Sequence, residues 1–444
     1  MTTGHIGRML FTRSLPIIVG VLGMVSFNLI DTYFVGKLGA DELAALSFTF
    51  PIVFFFRAIS FGLGIGASAV ISRAFGARDK EQIRRLTTDS FGLALMIVAV
   101  FVIVGLNYME WMFQLVGVTP EVMPLVREYM EVWFWGVGFV VVLLIGNNVL
   151  RASGDTATPS WIVVSAIVIN IIFDYLLIFG IGPFPRWELK GAALATVGAH
   201  AVGLVVTFWI IGYRNKMISL KFPGLAKAWE SSRLILYIAL PTAGAQIIIP
   251  IGWGLITRFI SSYGPEAVAS IGVASRIEMF LFVIIFALTG ALGPFVGQNF
   301  GAGKFDRLKR GVDYSHRFGF FWGVGMFIAL RIAAKTVVPF FTDEPGIIAA
   351  AVDYLYILPL GYAFMCLLII SNTALNALNR PLYAAGLNFL QLIGLFVPLA
   401  MLGMRFIGMT GVFWALVAAN TVSGTLSVII LRRVIAGYIG KEQQ

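Results

Sequence analysis

Two acidic side chains sit in stretches that water does not reach. Asp31 is the only acidic or basic residue between Arg13 and Lys37, inside an apolar run from Leu15 that is long enough to cross a bilayer. Asp174 lies in Ile169-Asn170-Ile171-Ile172-Phe173-Asp174-Tyr175. A carboxylate at membrane depth costs about 2.5–3.5 kcal/mol on insertion scales, so it is rarely kept without a task. Asn170 and Asp174 are four apart, which stacks them on one helix face. Asn147 and Thr196, in neighbouring apolar runs, could face the same interior. Two carboxylates in a low-dielectric pocket repel when both are charged, which favours holding a proton between them. The same carboxylates with amide and hydroxyl oxygens also make a hard-cation site. The bland alternative is that either acid reaches a membrane interface, Asp31 being close to Gly36.

The elements that must position these groups are membrane helices. Of 444 residues 59% are hydrophobic and 12% charged, against about 25% charged in a soluble domain. Apolar runs recur without period-two alternation, which excludes a barrel. Helices are expected at 10–36, 42–72, 87–108, 121–150, 158–182 and 189–213, then at 234–262, 266–297, 312–338, 346–377, 381–405 and 410–432. The first is read as a membrane helix, not a removed signal peptide. This gives an all-α polytopic protein of 12 transmembrane helices: a first lobe over 1–213, a linker at 214–233 and a second lobe over 234–444. Lys and Arg gather at alternate loops, as in Arg73 to Arg85, Arg214 to Arg233, Lys304 to Arg310 and Arg432 to Lys441. The positive-inside rule then puts both termini and the linker in the cytoplasm, with the protein in the cell membrane. The net charge of +10 reports that orientation and no nucleic-acid partner.

The halves are copies. Leu15-Pro16 recurs as Leu240-Pro241, 225 positions on (241 − 16). The same offset pairs Phe75-Gly76-Ala77 with Phe300-Gly301-Ala302, Tyr129 with Tyr354 and Asn147 with Asn372. Each half has an even number of helices, so the repeats are parallel, related by a pseudo-two-fold along the membrane normal. The copies differ at the acids: Asp31 aligns with Ile256, and after a short slip Asp174 and Asn170 align with Phe396 and Leu392. Both carboxylates therefore belong to the first lobe alone. In the second lobe Glu278 is the deep acid, with Arg258 its expected buried partner. His200 reads as a helix–helix hydrogen-bond donor. Gly62, Gly64 and Gly66 allow close helix packing. Pro16 shares a helix with Asp31, so a kink there could respond to its charge. With three His, no zinc-protease pair and no phosphate loop, nothing catalytic and no cofactor is expected. Cys366 can form no internal disulfide.

Taken together, Asp31-Thr32-Tyr33-Phe34-Val35-Gly36-Lys37-Leu38-Gly39, Ser275-Arg276-Ile277-Glu278 and Val296-Gly297-Gln298-Asn299-Phe300-Gly301-Ala302-Gly303, with Asn170 and Asp174, make the chain similar to the multidrug and toxic compound extrusion (MATE) transporters, DinF-like branch. The resemblance covers nearly the whole chain. It implies a monomeric antiporter in membrane lipid that exports hydrophobic or cationic small molecules in exchange for H⁺ or Na⁺. It implies coupling at Asp31, Asn170, Asp174 and Thr196, where Na⁺ would also bind. Phe27, Asn28, Tyr129 and Asn147 would line the substrate cavity, with a bend at Pro16. The seventh helix offers Gln246, Thr257 and Arg258 but no carboxylate, which departs from the other bacterial branch. The rival reading is a lipid or lipid-linked oligosaccharide flippase, for which Arg57, Arg127, Arg258 and Arg276 would mark an anion pathway.

Overall fold

A computed structural model describes residues 1–219 and 224–442, apart from the side chains of residues 28, 29, 441 and 442. Twelve helices among these are long and apolar enough to cross a membrane. They are α1 (Ile6–Gly36), α2 (Ala40–Ala77), α3 (Lys80–Val116), α4 (Met123–Ala152), α5 (Ala157–Phe179), α6 (Glu188–Arg214), α7 (Leu225–Ser261), α8 (Pro265–Gly301), α9 (Phe305–Phe340), α10 (Pro345–Ala377), α11 (Pro381–Ile407) and α12 (Met409–Gly440). Among the described residues there is no strand.

Several helices outrun their apolar cores. α3 opens at Lys80 and α9 at Phe305, each about a turn or two before the expected start, and α7 opens at Leu225, inside the stretch expected as linker. The reason is physical: the apolar run marks what lipid covers, while the helix continues wherever its ends are satisfied. Asp79 accepts the N–H of Gln82 at 2.9 Å and so caps α3. Asp155 accepts both the N–H and the hydroxyl of Thr158, at 3.0 and 2.6 Å, holding the first turn of α5. Gly117 and Gly180, with φ of 91° and 67°, end α3 and α5 in the left-handed region that favours glycine. Some helices are interrupted inside. α10 tightens to a 3₁₀ turn over Leu358–Gly361 at Pro359, and α11 widens to π geometry over Leu390–Phe396.

The chain forms two compact bodies: Leu15–Ala243, and Met1–Ser14 with Gly244–Gln444. Both changes of body fall inside a helix, two residues from Pro16 in α1 and from Pro241 in α7. In the first body the glycines do what their spacing implied. A Cβ on Gly62 would meet the Ala239 carbonyl oxygen at 2.5 Å, one on Gly66 the Ile235 carbonyl oxygen at 2.6 Å, and one on Gly64 the Asn148 amide at 2.6 Å. Phe56, Phe101, Trp133 and Phe134 form an aromatic cluster between α2, α3 and α4, with Phe56 and Phe101 centroids 4.5 Å apart. In the second body Ile6 and Leu10 pack with Leu288, Leu292, Phe295 and Val296. Just before α1 the backbone is clamped: Arg307 donates to the carbonyls of Gly4 and Thr3 at 2.7 and 2.8 Å, and Lys304 to that of Thr2 at 3.0 Å.

Candidate functional site

Within the first body α1 and α5 run side by side. A Cβ on Gly20 would touch Ser160 and one on Gly23 would press on Ile167, while the Phe34 ring lies 6.1 Å from that of Tyr175. These contacts step along both helices together, so Asp31 and Asp174 stand at one level. Asp174 is fully buried and Asp31 half-buried.

Asn170 and Thr196 complete the cluster. The Asn170 amide is oriented by its neighbours, because the reverse orientation would set its oxygen against a carboxylate oxygen. Its nitrogen donates to Asp174 Oδ2 at 2.9 Å, and its oxygen accepts from the Thr196 N–H at 3.0 Å and the Thr196 hydroxyl at 3.3 Å. Asp174 Oδ1 has no hydrogen-bond partner. A carboxylate with one oxygen pinned and the other open, beside a second carboxylate, can take a proton or present oxygens to a cation. Among the described residues no group of three His, Cys, Asp or Glu side chains forms a metal cluster, so any cation here would rest on amide and hydroxyl oxygens as well.

The other expected residues are placed as follows. Tyr129 on α4 is buried. Asn147 is buried with its Oδ1 unpartnered. Phe27 is half-buried, Pro16 lies inside α1, and the side chain of Asn28 lies outside the described residues. His200 corrects an expectation: its Nδ1 bonds the Thr196 carbonyl at 2.7 Å, one turn back on its own helix, instead of crossing to another. Arg127 pairs with Glu110. Arg57 is exposed in mid-α2 and forms no ion pair among the described residues. Glu278 also corrects an expectation. Its carboxylate is met by the hydroxyls of Tyr354, at 3.2 Å, and Tyr362, whereas Arg258 is exposed and outside ion-pair reach. Nothing local in sequence could have named those tyrosines, 76 and 84 positions away. Surface clefts at α5–α6, about 310 Å³, and at α3–α4, about 550 Å³, include none of the four residues of the cluster.

The twelve membrane-length helices make this a multi-pass membrane protein, and Asp31, Asp174 and Glu278 lie inside them. The MatE family profile matches residues 16–176 and again 241–402, with starts 225 apart (241 − 16). The FAD transporter of Shewanella oneidensis is 33% identical over 98% of this chain and 96% of its own. The multidrug export protein MepA of Staphylococcus haemolyticus is 24% identical over 94% of this chain and 91% of its own. The crystal structure of the Vibrio cholerae MATE transporter VcmN in the bent form superposes with a TM-score of 0.92 at 26% identity, covering 98% of both chains. The chain belongs to the MatE family; it is a multi-pass transporter and not an enzyme.

Proposed function

We propose that the protein is a secondary active antiporter that exports hydrophobic, cationic compounds in exchange for H⁺ or Na⁺. The observation that carries this reading is the unpartnered Oδ1 of buried Asp174, whose other oxygen is held by Asn170 and, behind it, Thr196. The repeat mates of Asp31, Asp174 and Asn170 are Ile256, Phe396 and Leu392, so the packing of the fold does not call for these polar groups. A ligand shifts two conformations only if it binds them differently. A cation on this pair meets that condition: it removes the repulsion, α1 repacks about Pro16, and cargo leaves on the outer side. The basic loops support a cytoplasmic location for both termini, with the protein in the cell membrane. In proteoliposomes, Asp31→Asn and Asp174→Asn are each expected to abolish gradient-driven export while remaining monodisperse. Wild-type rates in both would sink the proposal. Separately imposed pH and sodium gradients decide the coupling ion.

A second cargo has its own support. The Shewanella oneidensis relative is named an FAD transporter, and a flavin dinucleotide combines a flat apolar ring system with a diphosphate. Exposed Arg57, unpaired at the middle of α2, is the group suited to such an anion. FAD uptake into inverted vesicles that survives Arg57→Lys but falls sharply in Arg57→Gln supports it; equal uptake in all three removes it.

A further inference from the structure

The second body holds a buried acid that the coupling reading does not use. Glu278, on α8, retains 8% of its surface, while Tyr354 and Tyr362 each retain 1%. Both tyrosine hydroxyls point at the carboxylate, one to each oxygen. Tyr354 is wedged by Phe413 at 5.0 Å and Tyr362 by Phe282 at 5.1 Å, so neither ring is free to swing away. The helices packed against α8 are α9 and both parts of α10. Their charged and titratable groups are engaged or exposed: Arg331 stacks over Tyr356, His316 bonds Ser371, and Asp353 is exposed. On α8 itself Arg276 is exposed, two positions away and therefore on another face. Among the described residues no Lys, Arg or His pairs with Glu278. A buried carboxylate without a countercharge is normally avoided.

The repeat adds an independent observation. Tyr354 is the mate of Tyr129, 225 positions on (354 − 129). Tyr129 is buried in the first body, and in the second Tyr354 is buried and bonds Glu278. The tyrosine is common to both copies, while the carboxylates come from different helices.

We propose that Glu278, with Tyr354 and Tyr362, is a second proton-binding site, housed in the Gly244–Gln444 body and distinct from the Asp31/Asp174 pair. Protonation forms one O–H bond on a carboxyl oxygen, the proton coming from water at the residue's exposed edge and returning there. The protonated oxygen then donates instead of accepting, so one tyrosine hydroxyl turns and accepts; deprotonation reverses both changes. Two phenols and one carboxylate supply too few oxygens for a bare metal cation, which favours a proton.

Infrared difference spectroscopy of the reconstituted full chain, between alkaline and acidic pH, tests this without any transport assay. The wild type is expected to show a protonated-carboxyl band that Glu278→Gln removes, and whose midpoint shifts in Tyr354→Phe and in Tyr362→Phe. If Glu278→Gln does not fold, the two phenylalanine variants carry the test. A carboxyl spectrum unchanged in all folded variants overturns the proposal, as does a Glu278 band that answers to sodium and not to pH. Asp31→Asn and Asp174→Asn are expected to leave this band in place, so failure of the coupling proposal and failure of this one are distinguishable.

Discussion

Asn170 holds the first carboxylate from one side. Its nitrogen pins one oxygen of Asp174 and its own oxygen is satisfied by Thr196, leaving a single open carboxylate oxygen. A hydrogen bond to a charged group contributes about 1.5–3 kcal/mol, and about 1.4 kcal/mol is a factor of ten. Asn170→Leu is therefore expected to cut cation-driven export about tenfold or more, read as initial rates under an imposed gradient. Thr196→Val keeps the backbone N–H that also serves Asn170, so a smaller loss is expected in the same assay. At this scale Asp31 and Asp174 were legible in the sequence because charges stand out against apolar runs. The contrast with Glu278 is instructive. Its burial was legible, but its expected partner was Arg258, since a countercharge is the usual remedy for a buried acid. The fold supplies hydroxyls from α10 instead, through contacts between residues far apart in the chain.

Helix number and order were readable from the spacing of apolar runs, and the repeat from one constant offset. Helix ends and internal breaks were not, because capping by Asp79 and the π segment of α11 depend on single side chains and on neighbouring helices. Glycine placement shows the packing most directly. Gly66→Ala would push a methyl group to 2.6 Å from the Ile235 carbonyl oxygen, an overpacking that costs about 1–3 kcal/mol. A lowered thermal midpoint in detergent is expected. Gly92, also helical but with nothing within 4 Å of where a methyl group would sit, is the control. Gly92→Ala should hold or raise the midpoint, since alanine is favoured over glycine in helices by about 1 kcal/mol. The clamp ahead of α1 is likewise testable. Arg307 serves the carbonyls of Gly4 and Thr3, so Arg307→Ala should speed hydrogen exchange over the first residues, by mass spectrometry, without altering the core.

For the whole molecule, the two bodies hold different buried acids: the Leu15–Ala243 body has Asp174 with one oxygen unpartnered, and the other has Glu278 between two phenols. α1 and α7 each change body beside a proline, and this bears on how the chain is made. The core of the first body includes Ile235, Ile238 and Ala239, so it stays incomplete on the ribosome until the start of α7 has emerged. The second body needs Ile6 and Leu10, which are synthesised first and must wait for most of the chain. A fragment of residues 1–213 is therefore expected to aggregate or be degraded when expressed alone, whereas 1–243 should be more protease-resistant. Equal resistance of the two fragments would mean that α7 closes a body already folded. Neither half of the repeat is then a finished product of its own translation, and a gene cut at the join between copies would leave two incomplete cores.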